Sequence, residues 1–466
     1  MHRNNKRCLA EQVRRFRARF VQSVGAVLGD VIPGELLIRW ITEEIGTRRE
    51  RIYGPFATLV LFIEQVLGAD HSCQDAVARG LSARTAQGQA PCSLNTAAYC
   101  KARWRLPLGL PERLAREVGA RLCAQQPSAW RWRGREVKLI DGTTVSMPDT
   151  RANQARFPQS RGQKPGLGFP MARLVAVVSL SAGVVLEWAM DACKGKNTGE
   201  TALLWRLMPH LQRGDVVIAD GYYCGYFMIA GLIALGADIV MPQHHLRITD
   251  FRRGQRLGVR DHAVTWVRPK RPDWMDEATY ATMPETLTMR EVRAGGRTLV
   301  TTLTDAGVTP KPALAELYAM RWHVELDLRA IKTVMQMDIL RCKTPTMVEK
   351  EIAVHLLAYN LVRAVMAQAA CLSELLPRQL SFKTALQLLN AFETSLRHGS
   401  PQGLAIRCAQ LLTGLGRRRL PHRPHRVEPR AVKRRPKQHW LLTKPRHVLR
   451  KRLIKLQERR VAACLS

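Results

Sequence analysis

Residues 318 to 332 read Tyr-Ala-Met-Arg-Trp-His-Val-Glu-Leu-Asp-Leu-Arg-Ala-Ile-Lys, and this stretch is predicted to form one helix. Because an α-helix has 3.6 residues per turn, positions three, seven and fourteen residues after the first share its face. This face carries a phenol, a carboxylate and two cations, namely Tyr318, Arg321, Glu325 and Lys332. Such a stripe predicts a reactive site only if other acids converge on it.

Two apolar segments upstream each end in an aspartate. Glu136-Val-Lys-Leu-Ile precedes Asp141, and Asp215-Val-Val-Ile-Ala precedes Asp220. Both are predicted to be buried strands. Since side chains at the carboxyl ends of strands in an open α/β sheet point into the crevice that binds ligands, Asp141, Asp220 and Glu325 are expected to converge there. Three convergent carboxylates predict a site for divalent metal.

The charge of the chain predicts a polyanionic partner. The 466 residues include 73 Lys and Arg against 38 Asp and Glu, which gives a net charge of +35 and a pI near 10.7. Such an excess favours nucleic acid over a merely solubilising basic surface. The length predicts two or three domains.

Cysteines and apolar runs indicate the compartment. The eleven cysteines show no Cys-x-x-Cys pair and no zinc spacing, so they are expected to be reduced structural thiols in the cytoplasm. The basic N-terminus lacks the apolar core of a signal peptide. Residues 226–241 are too short for a bilayer span, so no membrane role is expected.

The two ends of the chain differ from its middle. Residues 1–130 are predicted to be wholly helical. Within them, the segment from Cys73 and the helix after Ser93 form a candidate helix-turn-helix. The alternative is that the helix after Ser93 is an ordinary basic surface helix. From Arg417 to Arg452 many Lys and Arg are interrupted by prolines. This segment is expected to be largely extended, either tracking a phosphate backbone or forming a solvated tail.

The helix stripe and the two aspartate segments resemble a known family. The spacing Tyr-x2-Arg-x3-Glu-x6-Lys is similar to the YREK signature of the DDE transposases named after insertion sequence four. Asp141-Gly-Thr-Thr-Val-Ser-Met-Pro-Asp and Ala219-Asp-Gly-Tyr-Tyr resemble the segments around the family's two aspartates. The resemblance covers roughly residues 30 to 450. One departure is Gly221, where several relatives carry arginine.

The resemblance implies an α/β fold with a ribonuclease H-like catalytic core. Residues 131–244 and 309–372 would form that core, in agreement with three predicted strands before its first helix. Residues 245–308, rich in short strands, would be a β-strand insertion domain. Residues 1–130 would be a helical domain that binds DNA ends, and residues 373–466 a helical and basic region for DNA binding and dimerisation.

The chemistry expected from the carboxylates is cut-and-paste transposition. Asp141, Asp220 and Glu325 would hold two Mg2+ or Mn2+ ions for phosphodiester hydrolysis, and the freed 3′-hydroxyl would then join target DNA. The family adds a hairpin at the excised end. Residues expected to contact DNA are Tyr318, Arg321 and Lys332 on phosphates, and Trp266, or next Trp274, stacked on a flipped base.

The expected partners are the terminal inverted repeats and target DNA, bound by a homodimer associated with the nucleoid. Each site residue has a structural alternative: Arg321 and Glu325 as a surface ion pair, Lys332 as a solvated cation, Trp266 as a buried strand residue. Three other functions remain open. They are a ribonuclease H-like nuclease without joining, a DNA-binding derivative without catalysis, and a recombinase with Tyr318 as nucleophile.

Overall fold

The computed structural model describes residues 39–40, 43–44, 51–86, 88–397, 401–421 and 440–465. Most of the first fifty residues of the predicted N-terminal domain therefore lie outside the described residues. Residues 422–439, in the predicted extended segment, lie outside them too.

The described strands are β1 (Val137–Ser146), β2 (Met171–Ser179), β3 (Val185–Ala192), β4 (Val216–Ile218), β5 (Asp238–Pro242), β6 (Gln255–Gly258), β7 (Asp261–Val267), β8 (Thr286–Ala294) and β9 (Arg297–Thr301). They form one mixed sheet of nine, in the order β3-β2-β1-β4-β5-β9-β8-β7-β6. β1, β4 and β5 run parallel, whereas β2 is antiparallel to both of its neighbours. The strands from residues 245–308 extend this same sheet, because β9 pairs with β5.

Helices precede, cover and follow the sheet. They are α1 (Pro55–Leu67), α2 (Cys73–Ala86), α3 (Ala97–Arg105), α4 (Gly109–Gln125), α5 (Arg151–Arg156), α6 (Glu200–Leu207), α7 (Tyr226–Ala234), α8 (Glu277–Thr282), α9 (Lys311–Ala319), α10 (Trp322–Arg329), α11 (Pro345–Leu372), α12 (Phe382–Arg397), α13 (Pro401–Gly416) and α14 (Arg446–Leu465). α11 is the central core helix. By length and composition it could cross a membrane, but its apolar window is 94% buried in the fold.

The side chains of β1 alternate between the two faces of the sheet, and each face borders its own hydrophobic core. Leu139 and Val145 belong to the larger core with α10 and α11, whereas Ile140 belongs to the core with α6 and α7. Because successive strand residues point to opposite faces, Asp141 lies on the α10 face and Gly142 on the α6 face. The sheet thus presents the first aspartate to the helix that carries Glu325.

The stretch from 318 to 332 is not one helix, so that prediction was wrong. α9 ends at Ala319 and α10 begins at Trp322, and the amide of Arg321 donates to the carbonyl of Tyr318 in a tightened turn. Residues Ala330–Val334 then form a π-helical turn. The tightened turn and the π-helical turn both depart from α-helical hydrogen bonding. Which residues enter the core decides where such departures occur, so residue spacing alone does not reveal them.

Two observations bear on the predictions for the ends of the chain. Tyr99 and Arg103 of α3 are buried, and the guanidinium of Arg103 lies 3.9 Å from the ring centre of Phe62, so this basic residue is withheld from a DNA surface. The last part of the predicted extended segment is helical, because α14 begins at Arg446. The nearest proline before it, Pro445, stands just outside the helix, where it interrupts no helical hydrogen bond.

A buried ion cluster fixes α10 in place. Asp327 has no exposed side-chain surface, and its carboxylate accepts hydrogen bonds from Arg363 of α11 and, at 2.7 Å, from Arg378. Arg378 also donates to the carbonyls of Ser179 and Leu180 at the end of β2. The position of α10 over the sheet therefore depends on one carboxylate shared by two cations.

We expect Asp327→Asn to lower the free energy of unfolding by about 3–5 kcal/mol, because two buried guanidiniums would lose their counter-ion. Equilibrium urea unfolding followed by circular dichroism measures this change. Asp250→Asn, which removes an exposed ion pair with Arg252, is the matched control and should change little. Equal effects of the two variants would contradict a central role for Asp327.

Candidate active site

Asp141 lies in the middle of β1, not at its end as predicted. The parallel pairing of β1 with β4 stops at Leu139 opposite Ile218, but β1 continues to Ser146 because residues 141–146 still pair with β2. Asp141 is therefore just beyond the point where β4 ends. The crevice expected beside the first aspartate is present. It arises because the neighbouring strand β4 is short, not because β1 ends there.

Asp220 follows β4 and begins a short 3-10 turn. Its Oδ1 accepts a hydrogen bond from the amide of Tyr222 at 2.9 Å, which orients the carboxylate. Gly221 is close to the end of β5, since a Cβ there would lie 3.2 Å from the carbonyl oxygen of Gln243 and 3.3 Å from that of Pro242. Glycine at this position thus allows β5 to approach, and a larger residue would require the backbone to shift.

Glu325 is in the first turn of α10, on its accessible side. Its Oε1 is 2.5 Å from Nη2 of Arg321, and one third of its side chain is exposed. Asp141 is within electrostatic range of this pair, because both Glu325 and Arg321 influence its pKa. The electrostatic influence of Arg321 and Glu325 therefore extends to the first aspartate.

The charges of the other two carboxylates act on Asp141. Burial raises the pKa of Asp141 to about 6, and the charges of Asp220 and Glu325 add to the rise. The amide of Gly142, 2.9 Å from Oδ1 of Asp141, and the guanidinium of Arg321 oppose it. A cation bound here would favour ionised Asp141.

The donor set fits a hard divalent cation in its chemistry, since all three groups are carboxylates on a partly open surface. In the described part of the chain, however, no three Asp, Glu, His or Cys side chains are spaced to hold a metal ion as they stand. Arg321 holds Oε1 of Glu325. Binding therefore requires the carboxylates to move closer together, with Glu325 using Oε2 or releasing Arg321.

The other signature residues occupy different elements. The phenol oxygen of Tyr318 is buried. Burial raises the pKa of this phenol, whereas Arg321 and Arg297 lower it, so two cations lie beside it. Arg297 starts β9 and has no sequence signal that links it to the site. Lys332 is half-buried in the π-helical turn after α10.

Trp266 is buried in β7, with 2% of its surface exposed. Its Nε1 donates to Oε1 of Glu291 at 2.8 Å, and the guanidinium of Arg247 lies 3.5 Å from its ring centre. A base could stack on this indole only after Arg247 moved away. The second candidate, Trp274, is 55% exposed and its ring centre lies 5.8 Å from that of Trp205.

We expect Trp266→Phe to lower stability by about 1–3 kcal/mol, since buried Glu291 loses its indole donor. Urea unfolding measures this, with Trp274→Phe as the exposed control. The same variants are also bound to a DNA duplex that carries the element's end and contains 2-aminopurine. The fluorescence of 2-aminopurine increases when this base leaves the stack. Loss of the fluorescence increase only in Trp266→Phe, with stability unchanged, would contradict the structural role.

A fourth carboxylate lies against Gly142, the residue after the first aspartate. Glu200, the first residue of α6, approaches Gly142, and its Oε2 accepts a hydrogen bond from the hydroxyl of Tyr223 at 3.3 Å. The sequence around Glu200 itself does not mark it as a site residue. The signal that could have indicated it is the glycine directly after Asp141.

Comparison with known proteins identifies the family. Residues 132–361, which include all three candidate carboxylates, match the family model described as the transposase DDE domain. The chain is 30% identical over 349 residues to the transposase InsG for insertion sequence element IS4 of Escherichia coli (strain K12), covering 70% of this chain and 75% of that protein. The chain belongs to the DDE transposase family. It is a DNA transposase related to that of IS4.

Among solved structures, the transposase is similar to a chain of the piggyBac transposase synaptic complex with hairpin DNA, determined by cryo-EM. The sequences are 12% identical and the TM-score is 0.41, with 84% of this chain and 83% of that chain covered.

Proposed function

We propose that this transposase moves an insertion sequence by cut-and-paste, with Asp141, Asp220 and Glu325 as its catalytic carboxylates. The observation that supports this most is the electrostatic convergence of Asp220 and Glu325 on Asp141 from separate elements. Carboxylates that repel one another in a partly buried site are unfavourable for stability, and are characteristic of sites that bind cations or transfer protons.

We further propose a ribonuclease H-like core made of residues 131–244 and 309–372. The order β3-β2-β1-β4-β5, with an antiparallel β2 and parallel β1, β4 and β5, supports this assignment. Residues 245–308 would be the insertion that continues the sheet through β9. Residues 1–130 would bind the element's ends, and residues 373–466 would serve DNA binding and dimerisation.

The proposed cofactors are two Mg2+ or Mn2+ ions per active site. When bound, the ions lower the pKa of the attacking hydroxyl or water and neutralise the leaving oxygen. Asp141 would hold the ions together with Asp220 and Glu325, whose charges both act on its carboxylate. Arg321, which holds Glu325 before DNA arrives, would pair with a phosphate once Glu325 turns to a cation.

The same site would carry out successive in-line displacements. Water attacks the phosphorus at the element end and releases the 3′-oxygen, which then attacks the opposite strand to form a hairpin. A second water opens the hairpin, and the 3′-hydroxyl attacks target DNA. No covalent bond to the protein is needed, since each leaving oxygen stays on DNA.

The DNA-contacting residues are proposed by charge and place. Arg321, Lys332 and the nearby Arg297 would bind phosphates, with Tyr318 donating its free hydroxyl proton to another. Trp266 would stack on a flipped base only if Arg247 moves onto a phosphate. The proposed partners are the double-stranded ends of the element and target DNA. A homodimer would bind them in the cytoplasm, at the nucleoid.

We expect Glu325→Gln to abolish metal-dependent nicking, hairpin formation and joining of a labelled duplex that carries the element's own end. The loss should exceed about 100-fold, since the outer partners of metal ligands alone contribute 10–100-fold. Gel assays in Mg2+ and Mn2+ measure each product. Retained binding with no product separates a catalytic defect from unfolding.

The control for this experiment is Glu277→Gln, which changes an exposed glutamate at the start of α8. Nicking without joining by the unchanged protein would favour the nuclease alternative. Binding without any cleavage would favour the inactive DNA-binding derivative.

We expect Lys332→Ala to weaken DNA binding equally for all sequences and to reduce the slope of log K against log salt by about one, because one phosphate contact is lost. Fluorescence anisotropy from low to high salt measures this slope. Lys343→Ala, at an exposed position outside the signature, is the control. An unchanged slope for Lys332→Ala would indicate a solvated cation.

A further inference from the structure

Glu200 reaches the site from the side of the sheet opposite α10. It begins α6, whose residues Leu203 and Leu204 pack in the same core as Ile140. Gly142 is on that face of β1, two positions after Ile140. Asp141 lies on the other face, toward α10. Glu200 is therefore placed to approach the first aspartate across the thickness of one strand.

The absence of a side chain at residue 142 makes this approach possible. A Cβ at Gly142 would lie 2.5 Å from Cδ of Glu200 and 2.7 Å from its Oε1, distances that non-bonded atoms do not adopt. Gly142 lies in regular β-structure, opposite Val175, so its role is not to permit an unusual backbone conformation. The space it leaves is filled by a carboxylate.

Two neighbours orient that carboxylate. The hydroxyl of Tyr223 donates to Oε2 of Glu200 at 3.3 Å, and Nε of Arg173 is 3.8 Å from Oε1. Burial raises the pKa of Tyr223, and Glu200, Asp141 and Asp220 each raise it further. One phenol is thus within electrostatic range of three carboxylates. The phenol that Glu200 contacts is thus also under the influence of both aspartates.

We propose that Glu200 is a fourth carboxylate of the active site, admitted by Gly142, which binds a divalent ion or its bound water from the face opposite Glu325. The inference rests on the proposed metal-dependent function. An acidic residue at the start of a helix also interacts favourably with the helix dipole. That role alone, however, requires neither a glycine on the adjacent strand nor a shared phenol.

The test measures metal binding in the absence of turnover. The full-length chain without DNA is titrated with Mn2+, and free Mn2+ is followed by electron paramagnetic resonance. We expect Glu200→Gln to weaken Mn2+ binding by about 10-fold or more. Glu277→Gln, also the first residue of its helix, controls for loss of an acid at a helix start. The Mn2+ concentration for half-maximal nicking should rise in the same proportion.

Gly142→Ala tests the opening itself. Alanine suits the extended backbone, and its methyl group would displace the end of a flexible side chain, so we expect folding with weakened Mn2+ binding. In the double variant with Glu200→Gln, the second change should add little. Gly162→Ala, where a Cβ meets nothing within 4 Å, is the control.

The outcomes separate this inference from the proposed function. Weaker binding in Asp141→Asn with unchanged binding and unchanged metal dependence in Glu200→Gln would overturn the role of Glu200 and retain the metal site. No Mn2+ binding by the unchanged protein, or no effect of Asp141→Asn, would overturn both. Equal losses in Glu200→Gln and Glu277→Gln would reduce Glu200 to a helix-start residue.

Discussion

The position of the candidate site depends on the buried ion cluster around Asp327. This carboxylate is fully enclosed and is shared by Arg363 of the core helix and Arg378 beside the end of β2. Burial, and next the charge of Arg378, lower the pKa of neighbouring His323 to about 4, so at neutral pH no further positive charge enters the cluster. Glu325, two residues before Asp327, is consequently held on the open side of α10.

The sheet provides the second constraint, because β4 is shorter than β1. β4 ends opposite Leu139, so the side of β1 beyond it is uncovered at Asp141. Glu325 of α10 lies on the face that carries Asp141, and on the other face Glu200 of α6 lies against Gly142. Each of these two glutamates has a local counter-charge, Arg321 on one face and Arg173 on the other. Mutual repulsion of the carboxylates is thereby limited before a cation binds.

Much of this site was predictable because its parts carry local patterns. The apolar runs before Asp141 and Asp220 become β1 and β4, and the spacing of the stripe correctly places Arg321 beside Glu325. The errors have one cause. A single helix over 318–332 was expected from spacing, and the sequence left open whether Trp266 is a stacking platform or a buried strand residue. Burial of Val324 and Asp327, and of Trp266 against Arg247, depends on contacts between distant segments.

The sequence by itself determined the family, the charge that requires a polyanionic partner, and the residues available for metal chemistry, because these depend on residue identity and short-range spacing. Only the tertiary structure decided which faces these residues occupy. It brought Arg297 beside Tyr318 and Glu200 beside Gly142, although long stretches of chain separate each pair. The physical reason is that strand order and strand length set the meeting point of side chains, and both arise from packing of the whole sheet against its helices.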